Sequence, residues 1–128
     1  MTRLEKAQEL RARTDVHFNC CQSVLVTYAK EMGLTEEQAF ALGSHFGSGM
    51  RCGSVCGTLT GALMVLGMTG YDEAQSASFL RQFREEHGDV SCAALLKAAF
   101  ERGEEKKPHC DRMVRQCVDF VCRETGLE

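Results

Sequence analysis

The sequence predicts an all-α protein, folded as a single compact domain of about six or seven helices over residues 1–128. Apolar residues recur at helical spacing along most of the chain, and helix-capping residues precede many of these stretches. The alternation typical of strands is absent, and the chain contains a single proline. A chain of 128 residues is also long enough to bury one hydrophobic core.

The first half of the chain carries start and stop signals for three helices. The first predicted helix covers residues 2–14, a charged run with a modest apolar stripe. Asn19 is a good N-cap for the second, whose apolar stripe reaches Met32 before Gly33 ends it. The segment Thr35 to Gln38 has the form of a capping box, which predicts the start of the third helix.

The second half predicts four more helices. Ser54 is the expected cap of a helix that runs to about Gly67, and Asp72 is the expected cap of the next. Ser91 precedes a segment with regular helical spacing of apolar residues. Pro108 is well placed at the start of the last helix, because proline is favoured in the first helical turn.

Charge and hydropathy limit the function classes. The formal net charge of −3 gives no electrostatic reason to expect binding to nucleic acid or to an anionic membrane. The apolar run from Val55 to Met68 is too short to span a bilayer, so we expect no membrane insertion. The charged first residues show no secretory signal, which favours a cytoplasmic protein.

The eight cysteines are the main chemical signal. A reducing cytoplasm disfavours structural disulfides, so this enrichment points to metal binding or thiol redox chemistry, with buried packing as the alternative. No C-x-x-C occurs, which argues against a thioredoxin-like dithiol and against paired zinc knuckles.

Four of the cysteines share one local setting, the first turn of a predicted helix. They are Cys20, Cys56, Cys92 and Cys110. A helix N-terminus stabilises a thiolate, so we expect the pKa values of these thiols to fall. Cys56, which combines a first-turn position with the flanking Gly57, is expected to be the most reactive or the most strongly ligating of them. The four helix starts are expected to converge on one metal centre or one set of redox thiols. At least three sulfurs should then share a pocket with Gly57 in its wall.

The other cysteines have different settings. Cys117 continues an apolar stripe and Cys122 lies at its edge, so both are interpreted as packing residues. Cys21 lies on an apolar helical stripe and either faces the core or belongs to the site. Cys52 is four residues before Cys56; the pair could ligate one centre or form a reversible disulfide, and both are redox candidates.

Glycines surround this pair at intervals of four residues. Gly53, Gly57 and Gly61 would form one bare helix face if a single helix contained all three. Such a face lets a helix or a bulky cofactor approach the backbone, so these glycines are candidate cofactor-binding positions. Tight helix packing alone explains the glycines about as well.

Four segments occur in the order and spacing of a known family. They are FNCCQSV at Phe18 to Val24, CGTLTGALMVLG at Cys56 to Gly67, VSCAALL at Val90 to Leu96 and HCDRMV at His109 to Val114. Together they resemble the C-GCAxxG-C-C family of redox-active proteins over most of the chain. In the central motif cysteine precedes glycine, and Thr58 stands where the family name has alanine.

The resemblance implies a small helical protein that is redox-active or metal-binding and is often encoded near transporters. Its four family cysteines would be the same four that the helix-start argument selects, namely Cys20, Cys56, Cys92 and Cys110.

Two function classes follow. In the first, these four cysteines ligate an iron–sulfur cluster or another thiolate-bound metal for electron transfer or sensing; a tetrahedral zinc site would be structural. In the second, the protein is a metal-free dithiol/disulfide redox protein associated with a transporter. His45 and His109 lie near candidate cysteines and are weaker candidates as ligands or proton donors.

Two further expectations concern partners. The redox partner is not identified by any motif in the chain. The glycine face or the apolar stripes could serve a homodimer interface.

Overall fold

The computed structural model describes residues 1–127, which form seven α-helices and confirm the all-α prediction. The helices are α1 Arg3–Ala12, α2 Cys20–Thr27, α3 Glu36–Gly43, α4 Gly57–Met68, α5 Glu73–His87, α6 Cys92–Glu101 and α7 Lys106–Thr125. Extended pairing within these residues is limited to one isolated antiparallel bridge, between Val55 and Ser91.

Four of the predicted caps are confirmed. The side chains of Asn19, Thr35 and Asp72 each accept a hydrogen bond from the amide three residues later, and each forms a full capping box. Ser91 accepts from the amide of Ala94 at the start of α6. These caps satisfy amides that have no partner inside the helix, and so they fix where each helix begins.

The second helix is shorter than predicted. It ends at Thr27 instead of near Met32, and tight turns lead from there to Gly33. The backbone leaves helical geometry at Tyr28, whose side chain is fully buried and whose hydroxyl donates to the carbonyl of Val118 in α7 at 3.2 Å. Packing against α7 therefore outweighs the local helical pattern.

The prediction that Ser54 caps the fourth helix is wrong. Helix α4 begins at Gly57, with Cys56 in the N-cap position. The carbonyl of Ser54 instead accepts from the amide of Cys92, and the amide of Cys56 donates to the carbonyl of Val90. Because these backbone groups pair with the segment before α6, the chain stays extended here until Gly57.

An irregular turn, Gly49–Gly53, precedes this extended segment. Every residue of Ser48–Arg51 has a positive φ, between 52° and 65°, and Gly53 has a φ of 75°. The amide of Ser54 closes the turn by donating to the carbonyl of Gly49 at 2.8 Å. A Cβ on Gly49 would lie 2.4 Å from the carbonyl oxygen of Ser54, so only glycine fits there.

The core lies between α2, α4 and α7, with α1 packed against α2 and α7. Its largest fully buried side chains are Tyr28, Leu25, Leu59, Leu66, Met113, Val24, Val65, Val114, Val118 and Val121. Helix α5 rests on α7 through Phe79, whose ring stacks on Phe120 at 4.2 Å between centroids.

Two glycines let neighbouring segments lie close to α4. A Cβ on Gly57 would be 2.6 Å from the carbonyl oxygen of Phe46, in the segment after α3. A Cβ on Gly61 would be 3.1 Å from Val24 Cβ and 3.3 Å from the carbonyl oxygen of Cys21, both in α2. Gly57 therefore allows the close approach of the Phe46 segment, and Gly61 allows that of α2.

We expect Gly57→Ala to lower the free energy of unfolding by about 1–3 kcal/mol, because the new methyl group would overlap the Phe46 carbonyl. Gly67 provides a matched control in the same helix, since a Cβ there would meet nothing within 4 Å. Gly67→Ala should stabilise the protein by up to about 1 kcal/mol. Urea unfolding of the reduced variants measures both changes, and equal effects would contradict the close-approach argument.

Candidate functional site

One cavity collects the four cysteines singled out by the helix-start argument. Cys20, Cys56, Cys92 and Cys110 all line it, and Gly57 forms part of its wall. The cavity volume is about 370 Å³, which is in the range of small-ligand sites. The structure thus brings together four residues that are widely separated in the chain.

The rest of the cavity lining is mostly apolar or basic, with two uncharged polar residues. The apolar residues are Phe18, Leu95 and Met113, and the polar ones are Asn19 and Ser48. The basic and imidazole residues are Arg11, Arg13, His17, Lys106, Lys107 and His109. No aspartate or glutamate is among the lining residues. The wall is therefore rich in cations, although the whole chain is acidic.

Asn19 holds the start of α2 at the cavity. Its side-chain oxygen accepts a hydrogen bond from the amide of Gln22 at 2.7 Å, and the backbone amide of Asn19 donates to the side-chain oxygen of Gln22. Its amide nitrogen donates to the carbonyl of Gly43 at the end of α3, at 3.1 Å. Cys20, the first residue of α2, is thereby fixed both to its own helix start and to α3.

The antiparallel bridge positions the second and third thiols. The amide of Cys56 donates to the Val90 carbonyl at 2.9 Å, and the amide of Cys92 donates to the Ser54 carbonyl at 2.6 Å. The hydroxyl of Ser91 adds a bond to the carbonyl of Gly53 at 3.1 Å. These contacts fasten the start of α6 to the start of α4, so Cys56 and Cys92 enter the same cavity.

Cys110 reaches the cavity from the second turn of α7, which corrects the prediction of a first-turn position. The helix begins at Lys106, two residues before Pro108. Proline fits at this third position because the first amides of a helix have no acceptor within it. Cys20 and Cys92 are therefore the first residues of their helices, as predicted, and Cys56 is the N-cap of α4. Cys110 does not lie in the first turn of its helix.

Cys20 and Cys110 line the same cavity, and each thiol shifts the pKa of the other. Interaction with the Cys20 thiol lowers the pKa of the Cys110 thiol, and the nearby guanidinium of Arg11 lowers it further. The same interaction, together with burial, raises the pKa of Cys20 well above its ordinary value, although Arg11 acts in the opposite direction. Cys110 is therefore favoured as the thiolate and Cys20 as its protonated partner.

Arg11 is a largely buried cation beside this pair, with its side chain 9% exposed. Its Nε donates to Asp111 Oδ1 at 2.7 Å, and its Nη1 donates to the Phe18 carbonyl at 2.7 Å. These bonds hold the guanidinium between the segment before α2 and the start of α7. Sequence reasoning missed Arg11, because its partner Asp111 lies 100 positions away and gives no local signal.

The pKa values of Cys56 and Cys92 are raised, which corrects the expectation that helix starts would lower them. Burial is the largest cause for both thiols, and the charges of neighbouring cysteines add to it. The amides of Leu59 and Thr58 favour the Cys56 thiolate but offset only part of this cost. Cys56 is also only 5% exposed, which opposes early reaction of its thiol.

Thr58 is the second residue that sequence reasoning did not assign to the site. It is fully buried, and its hydroxyl oxygen has no hydrogen-bond partner among residues 1–127. The hydroxyl lies near the sulfurs of Cys20 and Cys56, and it favours the thiolate of each. The only sequence signal was that a threonine replaces the alanine of the family name.

His109 lies between the thiol cavity and a second, shallower pocket on the surface. Its side chain is 5% exposed, and Nδ1 is 3.6 Å from Glu104 Oε1. Glu104 in turn accepts two bonds from Arg112, at 2.9 and 3.1 Å. Burial and the charge of Arg112 lower the pKa of His109, so the imidazole is neutral at neutral pH.

The remaining predicted site residues lie elsewhere. Cys52 is exposed in the irregular turn, where its thiol donates to the Gly49 carbonyl at 3.6 Å, and it does not line the cavity. Gly53 is outside α4, and a Cβ there would lie 3.2 Å from Ala93 Cβ. Gly61 faces α2. The three glycines therefore do not share one helix face, because the chain is extended between Gly53 and Gly57.

Three other cysteines belong to the core. Cys21 and Cys117 are buried among apolar side chains, as the packing interpretation predicts for Cys117. Cys122 is partly buried and lies 3.1 Å from the hydroxyl of Tyr28. All eight cysteines are free thiols in the structure.

The donors do not form a preorganised site for a single metal ion. Among residues 1–127, no three His, Cys, Asp or Glu side chains are grouped closely enough to hold one. The four cavity thiols surround a space instead of meeting at one point.

We expect Cys110 to be alkylated at lower pH than Cys92, because its thiol pKa is lowered whereas that of Cys92 is raised. Arg11→Gln should raise the pH at which Cys110 is half-alkylated by about one unit, since it removes the nearby cation. Arg115→Gln is the control, because it removes an exposed cation from α7, the helix that contains Cys110. Mass spectrometry of reduced protein after iodoacetamide pulses across a pH series measures each site.

If Cys92 is labelled at lower pH than Cys110, the assignment of the favoured thiolate is wrong. If Arg11→Gln and Arg115→Gln move the midpoint equally, Arg11 has no specific effect on the pair.

Comparisons with known proteins place the chain in a family. The model of the family described as "Putative redox-active protein (C_GCAxxG_C_C)" matches residues 18–123, which include all four cavity cysteines. No curated protein and no solved structure matches the chain significantly. Within residues 1–127, no helix combines the length and the apolar character needed to cross a membrane. The match to residues 18–123 covers most of the chain, and the protein therefore belongs to the C_GCAxxG_C_C family of redox-active proteins.

Proposed function

We propose that this protein is a thiol–disulfide redox protein in which Cys20 and Cys110 form the redox couple. The observation that carries the proposal is that these two cysteines line one cavity, next to the buried guanidinium of Arg11, and that each shifts the pKa of the other. A disulfide between them needs their Cα atoms to lie within about 7 Å of each other. Arg11 favours the anionic form that attacks a disulfide.

The proposed reaction reduces a substrate disulfide, R–S–S–R. The Cys110 thiolate attacks one sulfur, forms a Cys110–S–S–R mixed disulfide and releases the first R–S⁻. Cys20 loses its proton and attacks the Cys110 sulfur, which forms the Cys20–Cys110 disulfide and releases the second R–S⁻. Two electrons pass from the protein thiols to the substrate, and the proton from Cys20 is carried away on a released thiol.

The other cysteines are less well placed than Cys110 to make the first attack on the substrate disulfide. Cys56 is buried, and burial raises its pKa, so it is a poor nucleophile. Cys92 lines the cavity, but its pKa is also raised. Cys52 is exposed outside the cavity, whereas its proposed partner Cys56 is inside it. A Cys52–Cys56 couple would need a rearrangement of the turn between them.

Oxidation of the reduced, metal-free protein with 2-hydroxyethyl disulfide should produce a single intramolecular disulfide between Cys20 and Cys110. Peptide mapping by mass spectrometry identifies the bond. Cys20→Ser should stop at the mixed disulfide on Cys110, because the resolving thiol is absent. Cys110→Ser should lower the oxidation rate at least about tenfold, because the favoured thiolate is lost.

Cys52→Ser is the matched control and should form the same bond at the same rate as the unaltered protein. A disulfide that maps to Cys52 and Cys56 would contradict the proposal and favour the pair predicted from spacing.

A second candidate function uses all four cavity cysteines as ligands of an iron–sulfur cluster. The specific observation in its favour is the unpaired hydroxyl of Thr58, buried beside Cys20 and Cys56. Four cysteines are the usual ligand set for such clusters, and the cations around the cavity would offset its negative charge. The donor types therefore suit a cluster.

In that case Cys20, Cys56, Cys92 and Cys110 would hold the cluster, which would supply one-electron transfer. Thr58 would donate its hydroxyl to a ligand sulfur, and Arg11 would stabilise the anionic site from the protein side. Contacts of this kind tune a reduction potential.

Anaerobic reconstitution with iron and sulfide tests this candidate. A bound cluster should give stoichiometric iron and sulfide and a visible absorption band, and serine at any one of the four cysteines should lower the iron content by about half or more. Cys52→Ser should retain full loading. Iron content in the unaltered protein no higher than in a variant lacking all four cysteines would contradict the cluster.

Partners and compartment remain predictions. The association with a transporter comes from the family resemblance, and the cytoplasmic location from the cysteine usage. A homodimer stays a prediction, although the glycine face proposed for it is absent because Gly57 and Gly61 are covered by the chain's own residues.

A further inference from the structure

We propose that the cavity selects small aliphatic disulfides that carry carboxylates. This inference rests on the proposed thiol–disulfide function and adds the chemical class of its substrate. It is carried by the charge of the cavity wall, the charge left over after internal pairing, and the size and apolar character of the space next to the Cys20–Cys110 pair.

The charge of the wall is one-sided. Four lysine or arginine side chains line the cavity, and no carboxylate does. The chain as a whole carries a formal net charge of −3, so this concentration of positive charge is local. A concave site lined by one sign of charge raises the local concentration of ligands with the opposite sign.

Internal ion pairs use up only part of this charge. Asp15 pairs with Arg13 at 2.7 Å, while Asp111 is shared between Arg11 at 2.7 Å and Lys107 at 3.1 Å. Within these ion pairs, three cations share two carboxylates. One positive charge is therefore not neutralised by a direct ion pair.

Lys106 supplies a further cation. It has no ion-pair partner among residues 1–127. Its charge acts on the thiol of Cys92, which places the ammonium group near the side of the cavity formed by α6. An anionic ligand group beside the thiols would find Lys106 free to pair with it.

The apolar part of the cavity wall favours an aliphatic body between the charged groups of the ligand. Phe18, Leu95 and Met113 line the same space, and the cavity holds about 370 Å³. Short methylene chains suit this apolar lining, whereas the cations suit terminal carboxylates. A central disulfide with a carboxylate at each end satisfies both parts of the wall, with its sulfurs next to Cys110.

Three aliphatic disulfides of similar size but different charge test whether the cavity selects its substrate by charge. They are 3,3′-dithiodipropionate with two negative charges, 2-hydroxyethyl disulfide with none and cystamine with two positive charges. Each oxidises the reduced, metal-free protein, and the rate is divided by the rate of the same disulfide with dithiothreitol. This ratio removes differences in intrinsic disulfide reactivity.

At low ionic strength the normalised rate should be at least about tenfold higher for the dianion than for the dication, with the neutral disulfide between them. Added salt should shrink the difference, because it screens the charges. Lys106→Gln should reduce the dianion-to-dication ratio by about threefold or more. Lys97→Gln, which makes the same charge change at an exposed position on α6, should leave it unchanged.

Equal normalised rates for the three disulfides would overturn this inference while leaving the thiol–disulfide function in place. Failure of all three to form the Cys20–Cys110 bond would overturn the proposed function as well. If Lys106→Gln and Lys97→Gln reduce the ratio equally, the selection comes from overall charge, and the assignment to the cavity wall is wrong.

Discussion

The close packing of the first turns of α4 is the contact on which the site depends. The carbonyl oxygen of Phe46 lies 2.6 Å from the place that a Cβ of Gly57 would occupy, whereas Cys20 Cβ lies at an ordinary contact distance of 3.6 Å. A Cβ on Gly61, one turn later, would lie 3.3 Å from the carbonyl oxygen of Cys21. Without side chains at these positions α4 packs closely against the segment after α3 and against α2, and Cys20 and the cap residue Cys56 line the same cavity. A larger residue at position 57 would displace the Phe46 segment from α4.

Two longer-range contacts complete the arrangement. The antiparallel pairing of Val55 with Ser91 ties α6 to α4 and brings in Cys92. The bond between Arg11 and Asp111 ties α1 to α7 next to Cys110. Each cysteine is thus placed by backbone or ion-pair contacts of its neighbours, and the thiols themselves remain free for chemistry.

Gathering thiols in a buried place has an electrostatic cost. Burial and the charges of neighbouring thiols raise the pKa values of Cys56 and Cys92, and interaction with Cys110 together with burial raises that of Cys20, so these thiols remain protonated at neutral pH. Among the four cavity cysteines, Cys110 is shifted the other way, because the Cys20 thiol and the cation of Arg11 favour its thiolate. A single favoured thiolate among protonated neighbours is the state expected of a reduced dithiol protein.

Local signals in the sequence were enough to predict the helices and two of the site positions. Asn19 and Ser91 cap their helices by bonds that span three residues, so the placement of Cys20 and Cys92 at helix starts could be predicted from short segments. The prediction failed at Ser54, because its carbonyl is bonded to Cys92, which lies far along the chain. Capping rules contain no information about such a contact.

The errors in pKa have the same physical origin. A helix start favours a thiolate through local amides, and these act on Cys56 as expected. The larger effect comes from burial, which depends on how distant segments pack around the thiol. Arg11 and Thr58 were missed for this reason too, since Arg11 pairs with Asp111 and Thr58 lies near Cys20 only when distant segments pack together.

The two candidate functions compete for the same sulfur atoms. A bond between Cys20 and Cys110 would remove both thiolates from the ligand set and leave Cys56 and Cys92, too few cysteines for a four-cysteine cluster. Conversely, a cluster held by all four would leave no free thiolate to attack a disulfide. The same cations would stabilise either the anionic cluster or an anionic substrate next to Cys110. The cavity is therefore a single site that can support one of these chemistries at a time, and the oxidation state of the Cys20–Cys110 pair decides whether a cluster can bind.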